Sequence, residues 1–253
     1  TAAGGTGTLT YNWTGPNGFI ATNVQNPSIA SATPAALGTY IVTVIDANNC
    51  STSANTPVIV NPTPTVNAMN NQEYCNGATT PITNLNGPVA GTTFTWINDN
   101  TAIGLGAGGS GDIPSFVATN GTNAPIVANI TVTPSANGCI GTSLIFTITV
   151  IPSATLNPIG DQDYCNGDLA PSTSFTSPIT GVTYNWTNTN TSIGLGASGT
   201  GNVPAFTATN TTALPIAATI TVTPIYSGCD GTPFSYDITV NPTPVLSSSL
   251  TAS

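Results

Sequence analysis

Apolar and polar residues alternate with a period of two in many short runs: "GTYIVTVID" (38–46), "NITVTP" (129–134), "LIFTITV" (144–150), "TITVTP" (219–224) and "YDITV" (236–240). Successive strand side chains point to opposite faces, so these runs predict strands buried on one side, and their wealth of Val, Ile and Thr agrees. No stretch of ten residues carries helical periodicity. Turn signals stand between the runs, at Gly15-Pro16-Asn17-Gly18, Asn76-Gly77, Asn86-Gly87-Pro88, Asn137-Gly138 and Asn166-Gly167. Many short strands with frequent turns predict an all-β fold of immunoglobulin-like sandwiches.

The pattern also repeats at long range. Cys75 and Cys165 are 90 residues apart (165 − 75), and Cys139 and Cys229, Trp96 and Trp186, and Tyr74 and Tyr164 keep the same offset. Segments 61–150 and 151–240 align without a gap, a period longer than solenoid repeats and matching a whole small domain. The expected organisation is a partial domain at 1–60 lacking its first strands, sandwiches at 61–150 and 151–240, and at 241–253 a linker with the first strand of a following domain. Strands of the second domain are expected near 64–69, 79–85, 92–98, 113–118, 126–134 and 143–151, with the third domain repeating them 90 residues later. Short Pro-punctuated linkers, "NPTP" (61–64), "IPSA" (151–154) and "NPTP" (241–244), favour extended backbone and predict domains stacked end to end as an elongated rod. Both ends of the chain fall inside repeat units, as in a piece of something longer.

Composition then narrows the chemistry. The 253 residues include no Lys, Arg or His and nine acids, for a formal net charge of −9. Without cations the chain has no means to neutralise phosphates or anionic lipid heads, which speaks against nucleic-acid and membrane-surface partners. It has no imidazole for a Ser-His or Cys-His pair and no amine for a Schiff base. Side-chain salt bridges are unavailable, so stability rests on burial, hydrogen bonds and covalent links. No apolar run is long enough for a membrane span.

The cysteines are Cys50, Cys75, Cys139, Cys165 and Cys229. Identical units closing identically would give Cys75–Cys139 and Cys165–Cys229, each closing a long loop that the chain-entropy model credits with about 4 kcal/mol. Such bonds imply an oxidising, extracellular setting. In a simple immunoglobulin order, however, the corners carrying Cys75 and Cys139 lie at opposite ends of the sandwich. A daisy chain, Cys50–Cys75 and Cys139–Cys165, is the alternative. Cys50 occupies the place of Cys139 in the partial domain, and its partner is expected upstream.

Several patterns admit a chemical and a structural reading. Gly104, Gly106 and Gly109 spell GxGxxG, as do Gly194, Gly196 and Gly199. A dinucleotide site needs a helix after the glycines, whereas Pro114 or Pro204 and a strand follow here, so a glycine-rich crossover is expected and no cofactor. Asp161, Asp163 and Asp168 cluster around Cys165 and are a weak Ca²⁺ candidate. Asn71, Glu73 and Ala78 replace them one repeat earlier, which favours a solvated corner. Asp99 aligns with Thr189 and Asp112 with Asn202, so no catalytic carboxylate pair recurs. Trp13, Trp96 and Trp186 each follow an aromatic two residues earlier, on the same strand face. They read as core aromatics, with an exposed sugar platform as the alternative. Alternating Thr suits the wet side of a sheet. Sequons at Asn12, Asn120, Asn129, Asn185 and Asn210 are frequent by chance in a chain this rich in Asn and Thr.

The phrases "YNWTGPNGF…NPSIASATPAALGTYIVTVIDANNC" (11–50) resemble immunoglobulin/PKD-like repeats of Bacteroidota surface proteins. "YCNG…GTTFTW…NTAIGLGAGGSG…ITVTPSANGC…FTITV" resembles a PKD-like domain of the same giant proteins. The resemblance covers nearly the whole chain and rests on structural residues. It implies a place in long arrays of secreted adhesins, including gliding-motility adhesins, that leave the cell through a C-terminal type IX secretion domain, which is not seen here. The loss of all Lys and Arg departs from typical members.

Together these readings predict a non-enzymatic, disulfide-locked stalk of a large cell-surface adhesin or filament. Its partners would be neighbouring repeat domains of the same chain or identical subunits, with any glycan or surface ligand bound elsewhere in the parent protein. One alternative is a self-assembling filament subunit joined by strand complementation, the 241–253 tail completing the next copy's 1–60 domain. The other is a carbohydrate-binding module.

Overall fold

A computed structural model describes residues 2–245, and within them the chain is almost entirely strand and turn. Among the described residues the helical elements are four single 3-10 turns, and no helix is long and apolar enough to cross a membrane. Residues 246–253, which include most of the strand expected at 241–253, lie outside the described residues.

The first sheet contains β1 (Thr10–Gly15), β2 (Phe19–Thr22), β3 (Gly38–Ile45) and β4 (Ser51–Val58) in the order β2-β1-β3-β4, all neighbours antiparallel. Its β1–β2 connection is the predicted Gly15-Pro16-Asn17-Gly18 turn, where Asn17 takes a left-handed conformation that Asn tolerates. The second sheet contains β5 (Gln72–Cys75), β6 (Thr93–Asn98), β7 (Gly108–Ser110), β8 (Ile126–Ala136), β9 (Cys139–Ile140) and β10 (Leu144–Ile151), with main path β5-β10-β8-β6-β7. The third contains β11 (Gln162–Cys165), β13 (Thr183–Asn188), β14 (Ser198–Thr200), β16 (Ile216–Tyr226), β17 (Cys229–Asp230) and β18 (Phe234–Asn241), in the equivalent order β11-β18-β16-β13-β14. A small pair, β12 (Leu169–Ala170) with β15 (Phe206–Thr207), accompanies it.

Two compact units partition these elements: one runs through Asn67 and takes in Leu85–Thr95 and Val132–Leu144, and the other comprises Ala68–Asn84, Trp96–Thr131 and the chain from Ile145 onward.

The long strands follow the alternation read from the sequence. β8 and β16 bury every second residue, and the buried sets correspond at 90 residues: Ala128, Ile130 and Val132 against Ala218, Ile220 and Val222. On the wet face Thr and Ser pair across strands, as Thr133 Oγ1 with Ser143 Oγ at 2.8 Å and Thr221 Oγ1 with Ser235 Oγ at 2.9 Å. These are neutral cross-strand pairs in a chain that has no ionic ones.

The first strand of the repeat differs from expectation. No strand forms at 64–69. Instead β5 and β11 pair in parallel with the last strands β10 and β18, with Cys75 level with Ile151 and Cys165 level with Asn241. The first cysteine of each repeat therefore lies where the last strand ends. The expected "linker" at 151–154 is also part of the packing: Ile151, Pro152 and Ala154 are buried, and Ala154 O accepts the Thr232 N–H at 2.9 Å.

Candidate functional site

The chemistry-bearing feature of the described residues is a disulfide between Cys75 and Cys229, with Cα atoms 5.6 Å apart and a sequence separation of 154. It ties the end of β5, in the second repeat, to the β16–β17 turn of the third. This corrects the expected within-repeat pairing, since Cys139 and Cys165 are free, and it also replaces the daisy-chain alternative. The reason is strand geometry. In the third repeat Cys165 is level with Asn241, the last residue of β18, whereas Cys229 follows the turn beyond Tyr226, past the end where Val222 faces Phe234. The eight-residue β18 separates them by about 23 Å at roughly 3.3 Å per residue. A disulfide needs Cα atoms within about 7 Å, so a repeat of this topology cannot close on itself. Cys50 is free and exposed.

The Cys75 end is built by asparagines. The turn Cys75-Asn76-Gly77-Ala78 needs Gly77 at φ +85, a left-handed conformation open to glycine. Asn76 N–H donates to Ile151 O at 2.9 Å, and its Nδ2 donates to Ser153 Oγ at 3.1 Å. Asn76 Oδ1 accepts the N–H of Asn120 at 2.8 Å. Asn120 itself is buried, donating through Nδ2 to Val150 O (2.7 Å) and Ala124 O (2.9 Å) and accepting from Thr122. The third repeat copies this set: Asn210 Nδ2 donates to Val240 O (2.7 Å) and Leu214 O (2.9 Å), and Asn210 N–H donates to Asn166 Oδ1 (2.8 Å). A second buried pair, Asn98 and Asn188, donates to the carbonyls of Leu105 and Gly106 and of Leu195 and Gly196. These amides satisfy loop and strand-end carbonyls that burial would otherwise leave without a donor. Sequence reasoning missed all four; two of them, Asn120 and Asn210, stood in the sequon list, and the signal that could have found them is their recurrence at 90 residues.

The other candidates resolve into packing. Gly104 and Gly194 cap 3-10 turns in the left-handed conformation, and a Cβ on either would stand 2.2 Å from a backbone carbonyl, that of Val117 or Thr207. A Cβ on Gly109 would lie 2.6 Å from the Trp96 ring, and one on Gly199 would lie 2.4 Å from Trp186; Gly106 and Gly196 have open space. The glycines thus make room for a crossover over the indole. Trp96 and Trp186 are buried, at 5% and 4% exposure, and offer no platform to a sugar. Trp13 differs: it is half-buried, and its Nε1 donates to Val24 O at 3.0 Å.

Asp161, Asp163 and Asp168 do not converge. Asp161 accepts the Asp237 N–H, Asp168 accepts the Cys165 N–H, and Asp163 stands exposed on β11. Among the described residues no group of three or more Asp, Glu, Cys or His side chains could hold a metal ion. Asp99 takes the side-chain and backbone N–H groups of Asn129, which lower its pKa below the ordinary aspartate value. In the next repeat Thr189 Oγ1 accepts the Thr219 N–H instead, so a hydroxyl does the same backbone work. Asn202 Oδ1 likewise accepts the Phe175 N–H.

Two sandwich repeats in tandem, joined by a covalent bond between them, define a multidomain repeat protein of immunoglobulin-like class. Residues 72–154 and 162–244 match the model of the PKD-like domain, well over half the chain, and the chain belongs to that family. No curated protein matches it in sequence. Among solved structures it is similar to the three N-terminal domains of the bacteriophage RB49 highly immunogenic outer capsid protein (14% identity, 93% of this chain and 89% of that one, TM-score 0.42). It is also similar to mouse cadherin-23 EC22–24 (13% identity, 94% and 86%, TM-score 0.39) and to Sidekick-1 immunoglobulin domains 1–4 (12% identity, 92% and 67%, TM-score 0.38).

Proposed function

We propose that the chain is a non-enzymatic spacer segment of a large secreted cell-surface protein, an adhesin or filament of the kind its repeat phrases resemble in Bacteroidota. Its repeats, bounded near 61–150 and 151–240, act as a stiff, disulfide-locked stalk that holds a distal element away from the cell. The observation that carries the reading is the Cys75–Cys229 bond. A bond within one domain stabilises that domain; a bond between consecutive domains restrains their joint. Its loop of 154 residues corresponds to about 5 kcal/mol in the chain-entropy model. A disulfide belongs to an oxidising compartment, which supports an extracellular setting. Membership of the PKD-like family supports a structural rather than catalytic role.

Small-angle scattering on the oxidised chain and on the Cys75→Ser, Cys229→Ser double variant tests the locked joint. The stalk reading expects the variant's distance distribution to spread toward shorter values while circular dichroism keeps both repeats folded. Identical scattering from the two proteins would refute it.

The first sheet favours a second reading. Tyr40 and Val44 are the buried hydrophobic residues described before residue 61, while Tyr11, Trp13 and Val42 line a groove of mixed character with Gln25, Asn26, Thr52 and Ser53. A strand from residues 241–253 of another copy, added to this sheet, would make the chain a filament subunit. Light scattering on size-exclusion fractions over a wide concentration range separates the readings. A constant mass near 25.3 kDa fits the spacer, and a mass climbing in whole subunits fits the filament.

A further inference from the structure

We infer that Cys165 is the open half of a second bridge of the same kind, and that its partner is the turn cysteine of a further PKD-like repeat docked on the end formed at residues 241–245. The same site occurs twice in this chain, once with its partner seated and once without. Cys75, on the occupied copy, is bonded to Cys229, whereas Cys165, its equivalent at 90 residues, is free and exposed.

The two sites match bond for bond. Asn166 N–H donates to Asn241 O at 2.9 Å, as Asn76 does to Ile151 O, and Asn166 Nδ2 donates to Thr243 Oγ1 at 3.0 Å, as Asn76 does to Ser153 Oγ at 3.1 Å. Gly167 takes φ +95 where Gly77 takes +85. The partner side is equally defined. Cys229 follows a tight turn with Ser227 and Gly228 at φ +49 and +80, and Cys139 follows one with Asn137 and Gly138 at +50 and +78. The turn cysteine thus belongs to the repeat, not to one copy of it.

What places that turn over the preceding repeat's cysteine is the segment that follows the last strand. Past Ser153 the chain reaches Ala154, whose carbonyl accepts the Thr232 N–H and stands 2.0 Å from where a Cβ on Gly231 would be. Only a glycine at 231 lets residues 229–232 lie against this segment. Thr243 holds the place of Ser153 on the Cys165 side, so a repeat continuing there on the 90-residue spacing brings its own turn cysteine to Cys165. Bond formation removes one proton and one electron from each thiol. The oxidant is a small-molecule disulfide such as oxidised glutathione, reduced to two thiols through a mixed disulfide.

The inference rests on the stalk reading only for its oxidising setting, and bond mapping is blind to joint stiffness, so the two can fail separately. The test extends the full chain by inserting after Val240 a second copy of residues 151–240 that carries Tyr164→Phe and Thr211→Ser, which give its two cysteine peptides masses distinct from the parent's. After oxidation with glutathione, free thiols are alkylated and the disulfides mapped by mass spectrometry on peptides from an Asp/Glu-specific protease. The expected result is Cys165 bonded to the inserted copy of Cys229, with the inserted copy of Cys165 left free. Free Cys165, or an inserted repeat whose two cysteines bond to each other, overturns it. In the same extended chain Cys165→Ser must leave the inserted turn cysteine alkylated, and a turn cysteine that stays blocked overturns it too. Independently, iodoacetamide on the folded 253-residue chain must label Cys165 and leave Cys75 unlabelled; protection of Cys165 overturns the inference without any engineered repeat.

Discussion

Replacing Asn210 by Ala tests whether buried amides do in this chain what salt bridges do elsewhere. The side chain donates to Val240 O and Leu214 O and accepts from the Thr212 N–H and hydroxyl, both at 2.8 Å, in a residue only 3% exposed. Each such bond contributes a net of roughly 1 kcal/mol, and a buried carbonyl left without a donor costs roughly 1–3 kcal/mol. Thr212 lies toward solvent and recovers part of its loss from water. The sum is a destabilisation of about 3–4 kcal/mol, confined to the third repeat. Hydrogen exchange read by mass spectrometry along a urea series measures it, with the second repeat and its intact Asn120 as internal reference. Asn185→Ala, at an exposed sequon on β13, is the control and is expected within about 0.5 kcal/mol of the parent. Asn210→Asp keeps the shape but sets a carboxylate against two carbonyls, which raises its folded pKa above the unfolded value. Its stability is therefore retained below the unfolded pKa and lost as pH rises through the folded one. If Asn210→Ala costs under about 1 kcal/mol, or the loss is spread equally over both repeats, the amide network is not what holds the loop.

Two further outcomes follow from local geometry. Gly231→Ala places a Cβ 2.0 Å from Ala154 O and breaks the Thr232–Ala154 bond, for a loss of about 2–3 kcal/mol in thermal or urea unfolding, whereas Gly160→Ala meets nothing within 4 Å and is expected to be nearly neutral. Asp46 accepts N–H groups from Thr6, Cys50 and Asn48, which hold its carboxyl below the ordinary aspartate value. A depressed folded pKa gives a contribution present above the unfolded value and lost as pH falls through the folded one, so amide exchange at 46–50 should accelerate below about pH 4, and Asp46→Asn should remove that dependence.

The long strands were legible because alternation is a local property. β6, β8 and β10 lie where Phe94, Trp96, Ile130, Val132 and Ile148 alternate with Thr and Asn. β5 was not, because "QEYC" is four residues whose pairing is parallel and distant, while "PTVNAM" at 64–69 carries more apolar character and forms no strand. The disulfide failed for a different reason. A period fixes that every repeat uses its cysteines alike, but a translation pairing each first cysteine with the second cysteine one repeat on is equally periodic. Only the level of Cys75 against Ile151 decides between the two, and no spacing encodes that. The buried asparagines were written in the sequence as "TNGTNAP" and "TNTTALP" at 119–125 and 209–215. Abundant Asn and Thr disguised them as chance sequons, although Nδ2 of Asn120 and Asn210 is already committed to carbonyls and is not free to carry a glycan in the folded protein.

The missing cations bear on association as well as stability. With a net charge of −9 and no basic side chain, two copies meeting side by side bring like charges together, and no orientation offers an opposite charge to relieve them. The bridge between repeats works along the chain, where a covalent bond is indifferent to that repulsion. A chain so composed is expected to resist joining sideways. Exposed carboxylates lose their charge below about pH 4, and salt near 0.1 M screens them beyond about 10 Å. Lateral association should therefore stay low at neutral pH and low salt, rise modestly with salt, and rise steeply on acidification, as light scattering would record. A chain that remains dispersed at about pH 3, below the ordinary range of free carboxylates, would show that its Thr- and Asn-rich surface keeps copies apart with little help from charge.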